Sequence, residues 1–317
     1  SSSVISIMCV LLVSVGSADV AAEALEDLRL EVGQRLPEDG VGWIIRATCK
    51  RRIWWTACPM HESRNRRLRD LISSRTVQIP GAFNALVARA IEQAGFEAVY
   101  VSGAGLSNAV FGLPDVGLVT LTESVAHAKN ICSAVRLPVV IDGDTGFGEA
   151  VNTARAVYEF ESVGASAVHF EDQVLPKRCG HLEGKALISP PAMAEKIRAA
   201  CAARRDPDFL IIARTDARGV TSFDDAVERA NQYVQAGADV IFPEALRDAG
   251  ELGEFARMVK APLLANMTEF GKTPLLALAE LRRLGYCMVI YPQTALRTAL
   301  GAVTTMLADL KRDGDQN

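Results

Sequence analysis

The sequence predicts an α/β fold, a (β/α)8 barrel of parallel strands of the TIM type. Three observations carry that expectation. From about residue 76 onward, eight short apolar runs rich in β-forming residues recur; helix-period segments separate them; and a glycine or a proline introduces every run but the first. Strands that alternate with helices pair in parallel through crossover connections, and eight such units close a ring rather than extend an open sheet.

The runs can be taken in order. The first is 76–79. The second (98–101) follows Gly95, the third (138–141) opens on Pro138, and the fourth (167–170) follows Gly164. The fifth (209–213) follows Pro207, the sixth (239–242) follows Gly237, the seventh (262–265) opens on Pro262, and the eighth (287–291) follows Gly285. A glycine at such a place supplies the left-handed residue that ends the preceding helix. Between the runs lie stretches such as "NALVARAIEQAG" and "DDAVERANQYVQAG", whose apolar residues return every three or four positions.

Residues 1–59 do not share this pattern. All three tryptophans (Trp43, Trp54, Trp55) are there, and "IMCVLLVSVGSA" resembles a signal h-region without a basic stretch before it. The expectation is a poorly ordered leader or upstream extension over 1–59, then a catalytic barrel over 60–317. That barrel domain opens at Met60 with the basic amphipathic helix "MHESRNRRLRDLI".

Composition narrows the function classes. With 49% hydrophobic residues and a net charge of −4, the 317-residue chain suits a globular enzyme and offers no electrostatic case for nucleic acid or an anionic membrane. No apolar stretch is long enough for a spanning helix. Seven scattered cysteines form no CxxC pair, which argues against a disulfide framework or a structural zinc. "DTGFG" lacks the P-loop lysine and the dinucleotide fingerprint, so no nucleotide cofactor is expected.

A barrel of this kind carries its active site at the carboxyl ends of its strands. There the sequence sets "VSGAG", "DGDTGFG", "FEDQ", "ARTDA", "FPEA", "ANMTEFG" and "YPQ", so nearly every strand delivers a polar group to one rim. Asp142, Asp144, Glu171 and Asp172, with Asp115 from "GLPDVG", form a dense negative patch. A hard divalent cation would neutralise it: Mg2+, or Mn2+ as a substitute, with Asp142 and Asp144 as direct ligands and Asp115 and Glu171 acting through water. Helix capping and salt bridges to Arg214 are the alternative reading of these carboxylates. Ser102, Gly103 and Ala104 offer a hydroxyl and backbone N–H groups to an oxyanion. Arg214 and Arg297 are candidate carboxylate clamps, because a guanidinium matches a carboxylate bidentately. His169, inside the fourth run, reads as a hydrogen-bonded strand histidine rather than a ligand.

Taken in order, "VSGAG", "GLPDVG", "DGDTGFG", "HFEDQ", "PKRCGH", "ARTDA", "FPEA" and "LANMTEFG" resemble the isocitrate lyase/phosphoenolpyruvate mutase superfamily over about residues 62–313. Within it the motifs are most similar to those of the 2-methylisocitrate lyases. The resemblance implies a Mg2+-dependent carbon–carbon lyase that takes a small di- or tricarboxylate, cleaving 2-methylisocitrate to pyruvate and succinate in propionate catabolism. It also implies a homo-oligomer, a tetramer with exchanged C-terminal helices, in the cytoplasm (or the mitochondrion of a eukaryote). By motif, Ser102 to Ala104 would hold the pyruvate part, and Cys179 and Gly180 would meet the succinate part. Arg214, Glu244, Asn266, Thr268 and Arg297 would complete the substrate shell. Cys179 would be the general acid, with Lys177, Arg178 and His181 stabilising its thiolate and Glu171 among the catalytic groups.

Family chains continue past the equivalent of "DGDQN" with a Q-T-R-containing segment and further helices, whereas this sequence ends at Asn317. Two other readings stay open: lysis of a related malate such as 2,3-dimethylmalate, and a truncated barrel that binds dicarboxylates without turning them over.

Overall fold

The computed structural model describes residues 63–180 and 183–315, and the backbone of 28–35 and 43–49. The chain divides between His61 and Glu62. In the first unit, β1 (Leu28–Arg35) and β2 (Trp43–Cys49) pair antiparallel. The rest of the leader expected over 1–59 lies outside the described residues.

The second unit is the barrel. Its strands are β3 (Val77–Pro80), β4 (Val99–Val101), β5 (Val139–Asp142), β6 (Ala167–Glu171), β7 (Leu210–Thr215), β8 (Val240–Pro243), β9 (Leu264–Asn266) and β10 (Met288–Tyr291). Each coincides with one of the eight runs, and most extend one or two residues further toward the functional rim. Parallel ladders join β4 through β8 in sequence order, and β9 to β10 to β3. Parallel bridges from Gly81 to Tyr100 and from Ile241 to Leu263 close the two remaining seams. The ring is therefore complete.

Helices follow the strands. α1 (Arg64–Ser74) precedes β3, and α2 (Ala85–Gln93) follows it; α3 (Gly103–Phe111) and α4 (Leu121–Ala134) follow β4. Next come α5 (Ala150–Ser162), α6 (Pro190–Ala203), the short α7 (Ala217–Val220) with α8 (Phe223–Gln235), and α9 (Ala249–Met258). The last two are α10 (Leu278–Leu284) and α11 (Thr294–Asp313). Their starts follow from local chemistry. Asn84, Ser189, Ser222 and Asp248 each cap a helix by accepting a backbone N–H in its first turn, and Thr120 and Glu123 form a reciprocal capping box. Gly95, Gly164, Gly237 and Gly285 all take positive φ, as their places after helices require.

Strand parity sorts the side chains. Val77, Ile79, Tyr100, Val140, Ala167, Leu210, Ile212, Val240, Phe242, Leu264, Met288 and Ile290 fill the barrel interior, and Leu68 and Leu71 of α1 join the same cluster. Val99, Val139, Ile141, Val168, Ile211 and Ile241 point the other way, into the layer beneath the helices. Each fully buried aliphatic side chain contributes about 1.5–3 kcal/mol, so both faces of every strand are strongly specified. The same period of two carries the interior face upward to Asp142, Glu171, Arg214, Glu244 and Asn266 at the strand ends. α11 is different: none of its residues is buried, and Leu300, Val303, Leu307 and Leu310 are exposed along it. Among the described residues no helix is long and apolar enough to cross a membrane.

Candidate active site

A cleft of about 760 Å3 opens over the carboxyl ends of the strands. Ser102, Ala104, Asp115, Asp142, Glu171 and Lys177 line it, together with Cys179, Gly180, Arg214, Glu244, Asn266, Thr268 and Arg297. Most residues singled out in the sequence therefore converge on one space.

Asp142 ends β5 and is held from three sides. Its Oδ2 accepts the Gly103 N–H at 2.9 Å and the Tyr100 hydroxyl at 3.4 Å, and its Oδ1 accepts the Asp144 N–H at 3.1 Å. The Gly103 N–H, expected to serve a substrate oxyanion, is thus committed to Asp142. A Cβ on Gly103 would stand 3.0 Å from the same oxygen, so a larger residue there would press the Asp142 carboxylate aside. Asp144 adopts φ +48°, a left-handed turn that places its carboxylate beside that of Asp142. Its Oδ1 lies 2.7 Å from Lys177 Nζ, in a charge contact whose angle leaves the oxygen without a hydrogen bond.

Lys177 is the local counter-ion. Its ammonium, almost wholly buried, bridges Asp115 Oδ1 at 2.5 Å and Asp144. The sequence reading assigned it to the Cys179 thiolate; the structure gives it to the carboxylates, because an excess of buried negative charge needs a cation more than a thiol does. Arg178 also departs from expectation. It is exposed, its guanidinium donates to the Glu183 carbonyl at 3.2 Å, and it is not among the cleft residues. His181 lies outside the described residues.

Across the cleft, Arg214 is gripped by three carboxylates. It donates to both oxygens of Asp216 (Nε at 2.9 Å, Nη2 at 3.1 Å) and lies 3.2 Å from Glu244 Oε2 and 3.3 Å from Glu171 Oε2. The second oxygen of Glu171 is buried with no hydrogen bond, and so is Asn266 Oδ1. Ser102 caps α3 and accepts from Gly105 N–H and from Gln293 Nε2 at 3.1 Å, so its own proton is what it offers to the cleft. Arg297, on α11, bonds Glu269 at 2.6 Å and Thr268 Oγ1 at 3.3 Å, which ties the last helix to the loop after β9.

Burial and neighbouring charge set the protonation states. Burial pushes Asp142 up, but His169, Lys177, Arg214 and the Gly103 N–H more than offset it and hold the carboxyl at about 2. For Asp144 burial wins over Lys177 and, with the repulsion of Asp142 and Asp115, lifts it to about 6. Glu171 is raised well above the ordinary range by burial, with Arg214 and Lys177 opposing. His169, wholly buried, is pushed down to about 4 by desolvation and is neutral near pH 7. It meets Tyr100 OH at 2.8 Å through Nε2, as the hydrogen-bonded strand histidine anticipated, and is not a cleft residue.

The donor set fits a hard cation. Asp142 and Asp144 sit on one turn, and Asp144 and Glu171 each carry a buried oxygen without a hydrogen bond. Among the described residues no three ligating side chains form a cage. A cation that keeps waters and shares a substrate's oxygens needs only one or two carboxylates. The other cysteines are not part of this chemistry: burial raises the Cys132 thiol to about 12 and that of Cys287 to about 11.

Residues 68–311 match the protein family described as phosphoenolpyruvate phosphomutase. The chain belongs to the phosphoenolpyruvate mutase/isocitrate lyase superfamily. One relative in this superfamily, 2-methylisocitrate lyase of Aeropyrum pernix, is 54% identical over 250 residues, covering 78% of this chain and 80% of that protein. A crystal structure of 2,3-dimethylmalate lyase superposes with a TM-score of 0.78 at 36% identity, over 82% of this chain and 88% of the other. A phosphonopyruvate hydrolase crystallised with oxalate and Mg2+ superposes with a TM-score of 0.72 at 35% identity, over 80% and 88%. Superfamily membership agrees with the (β/α)8 barrel.

Sequence reasoning missed four residues around this site: Tyr100, Gln293, Asp216 and Lys185. Tyr100 was readable by parity, since it stands two residues before Ser102 and shares the interior face with Ala98. Gln293 and Asp216 stand inside the rim motifs "YPQ" and "ARTDA", whereas the pairing of Lys185 with Asp216 carries no local signal because the two lie on different loops.

Proposed function

We propose that this protein is a Mg2+-dependent carbon–carbon lyase that cleaves 2-methylisocitrate into pyruvate and succinate. The observation that carries the reading is the convergence in one cleft of Asp142 and Glu171, with Asp144 beside Asp142, and of Cys179 and Gly180 packed against Arg214. The high identity to a 2-methylisocitrate lyase supports the substrate, and the Mg2+–oxalate complex of a structural relative supports the metal.

Cleavage requires loss of the C2 hydroxyl proton, rupture of the C2–C3 bond and protonation of the carbanion left on succinate. Asp142 and Asp144 would hold Mg2+, which when bound would draw electron density from the carboxylate and the developing carbonyl of the pyruvate half. The Ser102 hydroxyl and the Ala104 backbone orient that half. The surplus oxygen of Glu171, basic because it is buried, accepts the hydroxyl proton. Electrons of the C2–C3 bond pass to C3, and Cys179 delivers its S–H proton there, so that the thiolate is the product form of the enzyme. Arg214, fixed by its three carboxylates, clamps a carboxylate of the succinate half. Lys177 keeps the acidic face from repelling itself and thereby keeps Asp144 beside Asp142.

The test is pyruvate release from 2-methylisocitrate with Mg2+ present or chelated, in the parent and in Cys179→Ser. Activity that survives chelation removes the metal from the account, and undiminished activity of the serine variant removes the acid role. The likeness to 2,3-dimethylmalate lyase favours one second reading, and kcat/KM for the two acids side by side decides between them.

A further inference from the structure

We propose that Gln173 and Lys185 are positioning residues that brace Cys179 from its two sides, and that Lys185 couples the placement of the thiol to Arg214. The proposal rests on the lyase reading above for the importance of Cys179, while its geometry is independent of substrate.

Cys179 lies on the long connection between β6 and α6. The base of that connection is tied as a short antiparallel pair: Gln173 bridges Leu187, Val174 N–H donates to the Ala186 carbonyl at 2.8 Å, and Ile188 N–H donates to the Asp172 carbonyl at 2.9 Å. Gln173, almost fully buried, then reaches across the loop. Its Oε1 accepts the Arg178 N–H at 2.9 Å and its Nε2 donates to the Arg178 carbonyl at 2.8 Å. Both polar groups of the residue before Cys179 are therefore held by one amide, which fixes the peptide in position and in rotation.

On the other side, Lys185 Nζ donates to the Gly180 carbonyl and lies 2.7 Å from Asp216 Oδ1. The ammonium group is buried, with its side chain 1% exposed and that of Asp216 0%. Asp216 in turn accepts from the Nε and Nη2 edge of Arg214 with both of its oxygens. The chain of contacts runs Cys179–Gly180, Lys185, Asp216, Arg214. Gly180 also packs directly on that cluster: a Cβ there would fall 2.3 Å from Arg214 Nη2 and 2.8 Å from Glu244. Lys185 is a second buried cation beside the three carboxylates that surround Arg214, and its bond to the Gly180 carbonyl goes beyond what charge balance requires. Its distinct effect is to hold the Gly180 peptide, and with it the thiol, at a fixed distance from the guanidinium.

The brace predicts how variants of the full chain behave. In Gln173→Leu and Lys185→Met, kcat for 2-methylisocitrate with Mg2+ is expected to fall about 10- to 100-fold while KM changes little, the penalty of a misplaced acid. Iodoacetamide labelling of Cys179, read by mass spectrometry, is expected to shift several-fold while labelling of Cys201 holds; the thermal midpoint is expected to fall in Lys185→Met, which takes a cation from the buried Asp216. Gln173→Glu should be intermediate, because a carboxylate still accepts from Arg178 N–H but cannot donate to its carbonyl; being nearly isosteric, it also serves should the leucine variant not fold. Parental kcat and parental Cys179 labelling in these variants would overturn the proposal. So would a loss of activity accompanied by an equal rise in Cys201 labelling, since that describes a merely structural role. If the parent does not cleave 2-methylisocitrate, the lyase reading fails by itself and the labelling pattern alone decides the brace.

Discussion

Glu171 and Asp172 are consecutive, both acidic, and 1% and 0% exposed, yet they serve opposite ends. Asp172 turns toward the helices and is saturated: it accepts from Thr215 Oγ1 and Tyr233 OH at 2.8 Å each, from Asp216 N–H at 2.9 Å, and lies 3.3 Å from Arg229 Nη1. Glu171 turns into the cleft, where one oxygen faces Arg214 and the other has no hydrogen bond. A buried carboxylate whose acceptors are all filled belongs to the fold. One with acceptor capacity left over is held in readiness for a ligand, at a cost in stability. The difference is one step of strand parity.

Substitution of the two neighbours is the strongest way to break this comparison. Glu171→Gln should lower kcat by about 100- to 10,000-fold, the usual span for loss of a proton acceptor, with little change in thermal midpoint. Asp172→Ala should do the reverse. It takes the acceptor from Thr215 Oγ1, Tyr233 OH and the Asp216 N–H, while Arg229 keeps Asp225, so a loss of about 1–3 kcal/mol for each stranded donor is expected in chemical denaturation, with kcat per folded molecule near the parent's. Equal effects of the two variants on stability would collapse the distinction.

A milder change sharpens it. Tyr233→Phe removes one of the donors to Asp172 and leaves its other partners in place, so denaturant titration should register about 1 kcal/mol and steady-state kinetics almost nothing.

A separate effect concerns pH in the metal-free protein. His169 is held at about 4, below its ordinary 6.5, so the unfolded chain takes up that proton first and stability falls as pH drops from about 6.5 to 4. Asp144, raised from 3.8 to about 6, has the opposite sign: its contribution is fully present below 3.8 and is lost as pH rises through 6. The two slopes oppose each other. Asp144→Asn, which lacks the compensating proton uptake, should therefore lose more stability than the parent between pH 6.5 and 4 when thermal midpoints are compared. An identical decline in both proteins would contradict the assignment.

Much of this organisation was legible in the residues. The eight strands announced themselves because both faces of each are apolar, and the glycines and prolines at their entries marked where helices stop. The rim motifs pointed to Asp142, Glu171, Arg214 and Glu244 because strand ends inherit the parity of the interior. What was not legible depends on distances between loops. Lys177 stands two residues before Cys179 in the chain, yet its charge goes to Asp115 and Asp144, since a long flexible side chain follows the strongest local field rather than its sequence neighbours. Gly103 was read as an oxyanion donor, although the nearest anion is Asp142 of the protein itself. Glu171 and Asp172 looked like one acidic patch, and only the ladder of β6 with β7 separates their faces.

The central claim is that the surplus acceptors and the thiol of this cleft together cleave a carbon–carbon bond. Its most direct test is the rate of pyruvate formation from 2-methylisocitrate with Mg2+, measured for the parent and for Cys179→Ser. The account predicts turnover by the parent, abolished by chelation, and a loss of about 100-fold or more in the serine variant. Equal rates for the two proteins, or turnover that ignores chelation, would contradict it.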